Sequence, residues 1–413
     1  MSKTLRVLHS SDWHLGRLLY GRRRYDEFAA FLDWMLEVIE QERIELLLIA
    51  GDLFDTTTPS NRAQSLYYRF LHNVAASPCR HVVIVGGNHD SPTFLNAPQQ
   101  LLRALDVHVV GAACDDPADE VLLLKDAAGE PEAIVCAVPY LRDRDIRHSE
   151  TGESTDDKSR KLIEGIYDHY ARVCAAGETM RQEQGPDLPL IGMGHLFAAG
   201  GQTLEGDGVR DLYVGSVAQV GSDCFPDMLD YVALGHLHVP QTVAGQERIR
   251  YSGSPLPMGF GEAHQQKLLY RIEFEGRVPS IQMLEIPCFQ RLERLKGDQQ
   301  QLAGAIARLA TGRESVWLEI HYEGDAIAAD LRQWLEEQVK GTQLEILRVR
   351  NNRVIERVLS RVGEEETLDD LSPPEVFDRA LAAHQVPEAQ QADLKALFNG
   401  LLRELDEQDN RAE

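Results

Sequence analysis

The sequence lacks any long apolar segment. In 413 residues there is no uninterrupted run of about 18 apolar residues, the usual minimum for a helix that crosses a membrane. Residues 1–4 lead directly into a short apolar run, with neither a secretion signal nor an arginine-rich transit helix. We therefore expect a cytoplasmic protein.

The sequence also lacks paired cysteines and an excess of positive charge. Its six cysteines are scattered and none forms a Cys-x-x-Cys motif, which argues against a zinc knuckle or redox centre and favours free thiols. The net charge of -24 repels the phosphate backbone of nucleic acids. A role on DNA would therefore require local positive charge or a partner protein.

The length and the apolar pattern predict an α/β protein with more than one domain. A chain of this length usually forms two or three domains. Up to about residue 110, apolar strands alternate with amphipathic segments, which is typical of a parallel βαβ layer. Helices are predicted at 25–43, 60–76, 96–105 and 159–176. We predict a two-sheet sandwich flanked by helices over residues 1–285, with a surface loop at 142–158.

Two further segments follow a change of composition near Pro287. Residues 286–360 alternate strand, helix, strand, helix and strand, which predicts a small α+β capping domain. Residues 361–413 combine an acidic, proline-bearing linker with a helical hairpin. The last helix carries an apolar stripe formed by Leu394, Leu397, Phe398, Leu401, Leu402 and Leu405. Either the body of the protein or a groove on a partner must cover this stripe.

Five apolar runs in the first segment end in side chains that bind metals. These side chains are Asp12 and His14, Asp52, Asn88 with His89 and Asp90, His195, and His236 with His238. Open α/β sheets bind ligands at the carboxyl ends of their strands. Two divalent cations that share a carboxylate can bind a phosphoryl oxygen and lower the pKa of a water molecule. We therefore predict a two-metal site at these strand ends.

In order, these motifs resemble those of the calcineurin-like metallophosphoesterase superfamily. The resemblance implies that Asp52 bridges two metal ions. Asp12, His14 and His238 would bind one ion, and Asn88, His195 and His236 the other. Oxygen and imidazole ligands without a thiolate favour Mn²⁺, although Mg²⁺, Fe²⁺ and Zn²⁺ remain open.

His89 lies beside Asn88 in the same loop without a necessary role as a ligand. It could protonate the leaving oxygen of a phosphodiester, with Asp90 orienting or charging it. The alternative is that His89 only caps the loop.

Two arginine-rich segments stand out in the acidic chain. The first follows His14 and contains Arg17, Arg22, Arg23 and Arg24, and the second contains Arg348, Arg350 and Arg353. Arginine binds phosphate through two parallel hydrogen bonds, so both segments are candidates for contact with a DNA backbone. The alternative is that both are solvated surfaces.

Within the superfamily, the chain is most similar to the nuclease subunits that work with the SbcC ATPase in bacteria. The similarity rests on the motifs around Asp12, Asp52, Asn88 and His236, on Tyr251-Ser252-Gly253-Ser254-Pro255, and on the order of the segments. It implies a Mn²⁺-dependent, nucleoid-associated homodimer within a heterotetramer, which cuts duplex DNA ends and hairpins. Asp55 replaces a histidine of archaeal members, so a role for that position does not carry over. A phosphoesterase of small nucleotides or phosphoproteins, or a scaffold without activity, would be the alternatives.

Overall fold

The computed structural model describes residues 4–146, 154–198, 220–324 and 328–351, together with six isolated positions between 377 and 398. It divides into two compact units, Met1–Leu292 and Glu293–Glu413. Within the described residues, no helix is long and apolar enough to cross a membrane. The six cysteines are free thiols, as predicted. The predicted domain boundaries at residues 285 and 360 stay predictions.

The strands in chain order are β1 (Thr4–Ser10), β2 (Leu18–Leu19), β3 (Arg22–Arg23), β4 (Leu46–Ala50), β5 (His81–Val85), β6 (Val107–Val110), β7 (Val121–Lys125), β8 (Pro131–Ala137), β9 (Leu190–His195), β10 (Tyr231–Gly235), β11 (Gln241–Val243), β12 (Gln246–Tyr251), β13 (Leu268–Glu275), β14 (Val278–Glu285), β15 (Arg291–Gly297), β16 (Val316–Tyr322) and β17 (Leu344–Asn351). The helices are α1 (Tyr25–Gln41), α2 (Asn61–Val74), α3 (Pro92–Asn96), α4 (Gln99–Arg103), α5 (Asp143–Ile146), α6 (Thr155–Gln184), α7 (Gln299–Ala310) and α8 (Ala328–Val339).

Two six-stranded sheets form the first unit. The first sheet has the order β14-β13-β1-β4-β5-β6, and the second has the order β11-β12-β10-β9-β8-β7. Strands β1, β4, β5 and β6 run parallel to one another, as do β8, β9, β10 and β12. Because parallel strands end at one edge of a sheet, the loops after β1, β4 and β5 lie close together.

Both faces of the central strands β4 and β5 are buried, which explains their apolar sequences. In β4, Leu46, Leu48 and Ala50 pack into the core between the two sheets, whereas Leu47 and Ile49 pack with α1 and α2. The outer face of the second sheet packs with α6. The first unit is therefore a helix-sheet-sheet-helix sandwich, as predicted.

The helix ends follow local chemistry, including where the predicted bounds were wrong. Ser60 caps α2 by accepting a hydrogen bond from the Ala63 amide, and Ser154 caps α6 by accepting one from Asp157. Helix α6 therefore begins at Thr155 and not at 159. The helix predicted at 96–105 is shorter, because α4 begins only after Pro98, its N-cap residue, and a proline cannot donate an amide to a preceding turn. Helix α3 ends where this segment begins and was not predicted.

One buried histidine connects the two sheets. His9 of β1 accepts a hydrogen bond at Nδ1 from the Tyr231 hydroxyl, 2.9 Å away, and donates from Nε2 to the Leu234 carbonyl, 3.2 Å away. Burial lowers the pKa of His9 to about 3. The imidazole is therefore neutral, and its two nitrogens are satisfied across the sandwich.

The second unit contains β16 and β17, which pair in parallel, and the helices α7 and α8. Leu302 and Ile306 of α7 share a core with Leu318 and Ile320 of β16. Asp298 and Gln301 form a capping box at the start of α7. The strand and helix order predicted for this segment is confirmed in residues 291–351.

The predicted tail at 361–413 lies largely outside the described residues. Among the positions that are described, the rings of Phe377 and Phe398 stack with their centroids 4.1 Å apart. The acidic linker and the full apolar stripe stay predictions.

Candidate metal centre

The candidate ligands meet because the two sheets end at the same side of the sandwich. Loops after β1, β4 and β5 supply Asp12, His14, Asp52 and Asn88. In the second sheet, the end of β9 supplies His195, and the loop after β10 supplies His236 and His238. The Asp12 amide donates to the Gly51 carbonyl at 3.0 Å, and the His14 amide donates to the Asp52 carbonyl at 2.9 Å. The His195 ring connects the sheets by donating from Nδ1 to the Ala50 carbonyl at 3.0 Å.

Several ligand residues adopt an unusual backbone conformation. Asp12, His14, Asp52 and His236 have φ angles of 54°, 47°, 49° and 102°. Positive φ is uncommon outside glycine and costs about 1 kcal/mol or more, although Asp and His tolerate it better than most residues. The surrounding loops therefore hold these side chains in place at the expense of backbone strain. The sequence motifs did not predict this strain.

One group of ligands consists of Asp12, His14 and His238. One ligand atom from each of these residues lies within 4.8 Å of the others, and all three side chains are buried. Nε2 of His14 and Nε2 of His238 are 3.2 Å apart. Burial lowers the pKa of His14 to about 4, so its ring is neutral and able to bind a cation.

The other group consists of Asn88, His195 and His236. The amide oxygen of Asn88 lies 3.0 Å from Nε2 of His195 and 3.3 Å from Nδ1 of His236. An amide oxygen and imidazole nitrogens suit a divalent transition ion. Burial lowers the pKa of His195, but the charges of Asp52 and Asp12 outweigh it and raise this pKa to about 9. A proton on His195 must therefore be displaced when a cation binds.

Asp52 lies between the two groups. Its Oδ2 is 3.6 Å from Nε2 of His14 and 3.4 Å from Nε2 of His195, while its Oδ1 accepts the His89 amide at 2.8 Å. Two glycines make room for this arrangement. A Cβ at Gly87 would lie 2.1 Å from Oδ1 of Asp52, and a Cβ at Gly51, where φ is +86°, would lie 2.2 Å from Nδ1 of His195. One carboxylate oxygen therefore faces both groups, and the donor set fits two divalent cations.

Two acidic side chains behind the ligands orient them. Oδ1 of Asp55 lies 3.4 Å from Nδ1 of His14 and accepts a hydrogen bond from Arg17 at 3.0 Å. Burial raises the pKa of Asp55, but His14 and Arg17 outweigh it and lower this pKa to about 2. Glu262, which pairs with the buried Lys267, lies 3.8 Å from Nδ1 of His238. No sequence motif pointed to Glu262, because it approaches His238 only through the tertiary fold.

The predicted partnership of Asp90 with His89 is wrong. The Asp90 carboxylate accepts backbone hydrogen bonds from Leu53, Phe54 and Gly87, at 3.1, 3.0 and 2.9 Å, and so ties two ligand loops together. The ring of His89 is oriented instead by the carbonyl of Asp55, 2.9 Å from its Nδ1. A ring nitrogen of His89 also lies within 4.8 Å of ligand atoms of His14 and Asp52.

The first arginine segment divides into structural and exposed residues. Arg24 is 2% exposed, donates two hydrogen bonds to Glu27 and a third to the Pro257 carbonyl. Its predicted contact with DNA is therefore wrong. Arg17 is engaged with Asp55, whereas Arg22 and Arg23 are exposed in the short β2-β3 hairpin.

In the second unit, Arg348 and Arg350 surround a buried carboxylate. Oε1 of Glu319, which is fully buried, lies 3.4 Å from Nη1 of Arg348 and from Nε of Arg350. Arg294 donates to the other carboxylate oxygen at 2.7 Å. These arginines therefore neutralise Glu319, and contact with DNA stays a prediction for them. Arg353 lies outside the described residues.

Two family models match the chain. One, described as calcineurin-like phosphoesterase, covers residues 5–240, and the other, described as type 5 capsule protein repressor C-terminal domain, covers residues 288–385. The first spans more than half of the chain and includes every predicted metal ligand. The fold and the site thus define a calcineurin-like phosphoesterase, a metal-dependent hydrolase of phosphodiesters.

Relatives narrow this class. The SbcD component of the nuclease SbcCD of Escherichia coli (strain K12) is 37% identical over 408 residues, which cover 97% of this chain and 98% of that protein. The SbcD protein of Rhodobacter capsulatus is 39% identical over 62% of this chain and 64% of that protein. The SbcD protein of Bacillus subtilis is 36% identical over 64% of this chain and 64% of that protein. The chain belongs to the SbcD family of SbcCD nucleases.

Proposed function

We propose that this protein is the DNA nuclease subunit of a complex with an SbcC ATPase. It degrades duplex DNA from its ends and cuts hairpins and single strands, with Mn²⁺ and in an ATP-dependent manner, during DNA repair, recombination and replication. The observation that carries the proposal is the 37% identity across 97% of the chain. This identity extends beyond the phosphoesterase region into the part that a general phosphoesterase would not need.

The ligand set supports Mn²⁺ as the metal. Asp12, His14 and His238 would hold one ion and Asn88, His195 and His236 the other, with Asp52 shared. Two bound ions would attract a phosphodiester and lower the pKa of the attacking water. Oxygen ligands combined with imidazoles, and the absence of a thiolate, favour Mn²⁺ over a closed zinc site.

His89 is proposed to transfer a proton to the leaving oxygen. Because the Asp55 carbonyl can only accept, the Nδ1 of His89 that faces it carries a hydrogen. Nε2 is then the atom that can exchange a proton with substrate, in the position that general acid catalysis requires. Asp55 fixes the ring through its backbone, so this role does not depend on the side chain at that position.

The β2-β3 hairpin is proposed to contact the DNA backbone. Arg22 and Arg23 are exposed, and Tyr20 at the turn stacks on Phe260 with the ring centroids 5.8 Å apart. Arg17 joins the base of this segment to Asp55, beside the metal ligand His14. Arginines next to the centre would supply the local positive charge that a chain of net charge -24 needs.

The tail is proposed to bind the SbcC ATPase, within a heterotetramer that contains two copies of each protein and associates with the nucleoid. Removal of residues 372–413 should leave the folded homodimer and its metals intact. Co-purification with the ATPase and ATP-dependent cutting of duplex DNA should both be lost. If the shortened protein instead aggregates or melts at a much lower temperature, the tail belongs to the core of this protein and the docking hypothesis fails.

The alternative is a phosphoesterase of small nucleotides or phosphoproteins, since the metal centre alone would permit it. Linear duplex DNA, hairpin DNA, a mononucleotide ester and a phosphopeptide should be compared with Mn²⁺, with and without the ATPase and ATP. We expect DNA to be cut far faster than either small substrate. The Asp52→Ala variant, purified identically, controls for contaminating nucleases. Equal or faster hydrolysis of the small substrates would contradict the proposal.

A further inference from the structure

A second cluster of metal-binding side chains lies at the opposite end of the first sheet. His81 is the first residue of β5. His108 is the second residue of β6, the neighbouring edge strand, and Asp106 directly precedes that strand. One ring nitrogen of each histidine and one carboxylate oxygen of Asp106 all lie within 4.8 Å of one another. The five residues of β5 separate this cluster from the loop of Asn88, a distance of about 13 Å along the strand.

One ring nitrogen of His81 is engaged with a carbonyl and a carboxylate, as is usual for a histidine that binds a metal through its other nitrogen. Its Nε2 donates to the Lys125 carbonyl at 2.7 Å and lies 3.4 Å from Oε1 of Glu132. Its Nδ1 is buried without a hydrogen-bond partner, in a residue that is only 8% exposed. Metal-bound histidines typically donate their other N–H to a carbonyl or carboxylate, which fixes the tautomer. In the neutral ring, Nδ1 of His81 therefore presents an unused lone pair.

Glu132 also influences the protonation of His81. Burial lowers the pKa of this ring, but Glu132 and the Lys125 carbonyl outweigh it and raise the pKa above its usual value. A cation at Nδ1 must therefore displace a proton from part of the population, so metal binding should strengthen as the pH rises through the neutral range.

His108 presents a second unused nitrogen. Its Nε2 is also buried without a hydrogen-bond partner, and its ring lies 6.0 Å from that of His81, centroid to centroid. Burial lowers the pKa of His108, which keeps the ring neutral near pH 7. A buried polar atom without a partner is unfavourable, because the hydrogen bond that it made to water is not replaced. Two such atoms beside an exposed carboxylate would be satisfied together by one cation.

We propose that Nδ1 of His81, Nε2 of His108 and the carboxylate of Asp106 bind one divalent transition-metal ion of the zinc type, separate from the catalytic centre. Two imidazoles and one carboxylate are a common zinc donor set, with water as the fourth ligand. The ion would join β5 to the edge strand β6. Because it would bind only the folded chain, it would stabilise the protein without entering the phosphoesterase reaction.

The test uses the full-length protein with Asp52→Ala as background, so that the catalytic centre binds metal weakly. After chelation, the protein is titrated with Zn²⁺, and with Co²⁺ as a visible probe of four-coordinate nitrogen and oxygen ligands. In this background, His108→Ala should bind about one equivalent of metal fewer. Zn²⁺ should raise the melting temperature of the background protein but not that of His108→Ala.

The matched control is His72→Ala, which removes an exposed histidine from the last turn of α2. It should bind as much Zn²⁺ as the background. Asp106→Asn, which keeps the size of the side chain, should weaken the site by at least about tenfold, since even outer partners of a ligand typically contribute that much. Equal metal content in the background, His108→Ala and Asp106→Asn proteins would overturn the proposal and leave His81 as a partner of Glu132 only.

Discussion

The two ends of the first sheet carry the same kinds of side chains but hold them differently. At the carboxyl end, the candidate ligands of the first sheet lie in loops, three of them (Asp12, His14 and Asp52) at positive φ, and the second sheet completes the set with His195, His236 and His238. At the amino end, His81 and His108 lie on paired strands of one sheet, and strand register alone brings them together. The two sheets together bring seven candidate ligands to the carboxyl end, whereas one sheet alone brings three side chains together at the amino end. This difference supports the proposal that catalysis belongs to the carboxyl end.

The largest effect is expected from Asp52→Ala at the carboxyl end. Loss of the shared carboxylate should lower metal content in both groups and reduce DNA cutting by about 10³ or more, since removal of a single catalytic donor commonly costs about 10²–10³. His14→Ala should mainly weaken one ion. Metal analysis and a nuclease assay measure both.

A carboxylate at the amino end provides the contrast. Glu45 accepts hydrogen bonds from the Arg80 side chain at 2.9 Å and the Arg6 amide at 3.1 Å. Glu45→Gln should leave metal content and cutting near those of the parent. Retention of both ions in Asp52→Ala would refute the shared position of Asp52.

A smaller loss is expected from His89→Ser. Metal occupancy should stay near normal, while the rate of cutting should fall by about 10² if Nε2 acts as a general acid. Turnover at saturating DNA, measured beside metal content, separates the two roles. A variant that lost its metals would identify His89 as a ligand and not as the proton donor.

Replacement of a glycine that packs against Asp52 should lower the free energy of unfolding. In Gly87→Ala the new Cβ would meet Oδ1 of Asp52 at 2.1 Å and its amide at 2.2 Å. Overpacking of this kind typically costs about 1–3 kcal/mol, and metal affinity should fall with it. Gly304→Ala in α7 is the control, because its nearest neighbour is the flexible Arg308 at 3.7 Å. It should stabilise the protein by about 0.5–1 kcal/mol in urea unfolding.

The smallest effect concerns pH and the histidine between the sheets. Burial lowers the pKa of His9 from 6.5 to about 3, so between these values the unfolded chain binds a proton that the folded chain does not. The stability contributed by neutral His9 is present above pH 6.5 and is lost as the pH falls toward 3. Between about pH 7 and pH 5 this loss should be about 2 kcal/mol.

Urea unfolding of the parent and of His9→Gln at pH 7 and pH 5 measures this contribution. Because both proteins contain the other buried histidines, the effect of those residues cancels when the two pH-dependent losses of stability are compared. The variant should lose less stability than the parent on acidification. Parallel pH profiles for the two proteins would show that His9 does not titrate as its burial requires.

Most of the fold was predictable because the apolar pattern is strong. Strand β4 and residues 82–85 of β5 are continuous apolar runs, since both faces of these parallel strands are buried. Strand β14 contains Pro279, which an edge strand can accept because one side of its backbone faces no partner strand. The start of α6 was missed because the polar residues after Ser154 resemble a loop when their partner sheet is unknown.

The candidate metal ligands could be identified without a structure, because each follows an apolar run and belongs to a motif with fixed spacing. The surroundings of those residues became clear only from the folded arrangement. It turned Asp90 toward three backbone amides, buried Arg24 against Glu27, and brought Glu262 to His238. A motif specifies which side chain follows a strand, whereas the neighbours of that side chain across the sandwich depend on strand order, register and loop conformation, which no local pattern encodes.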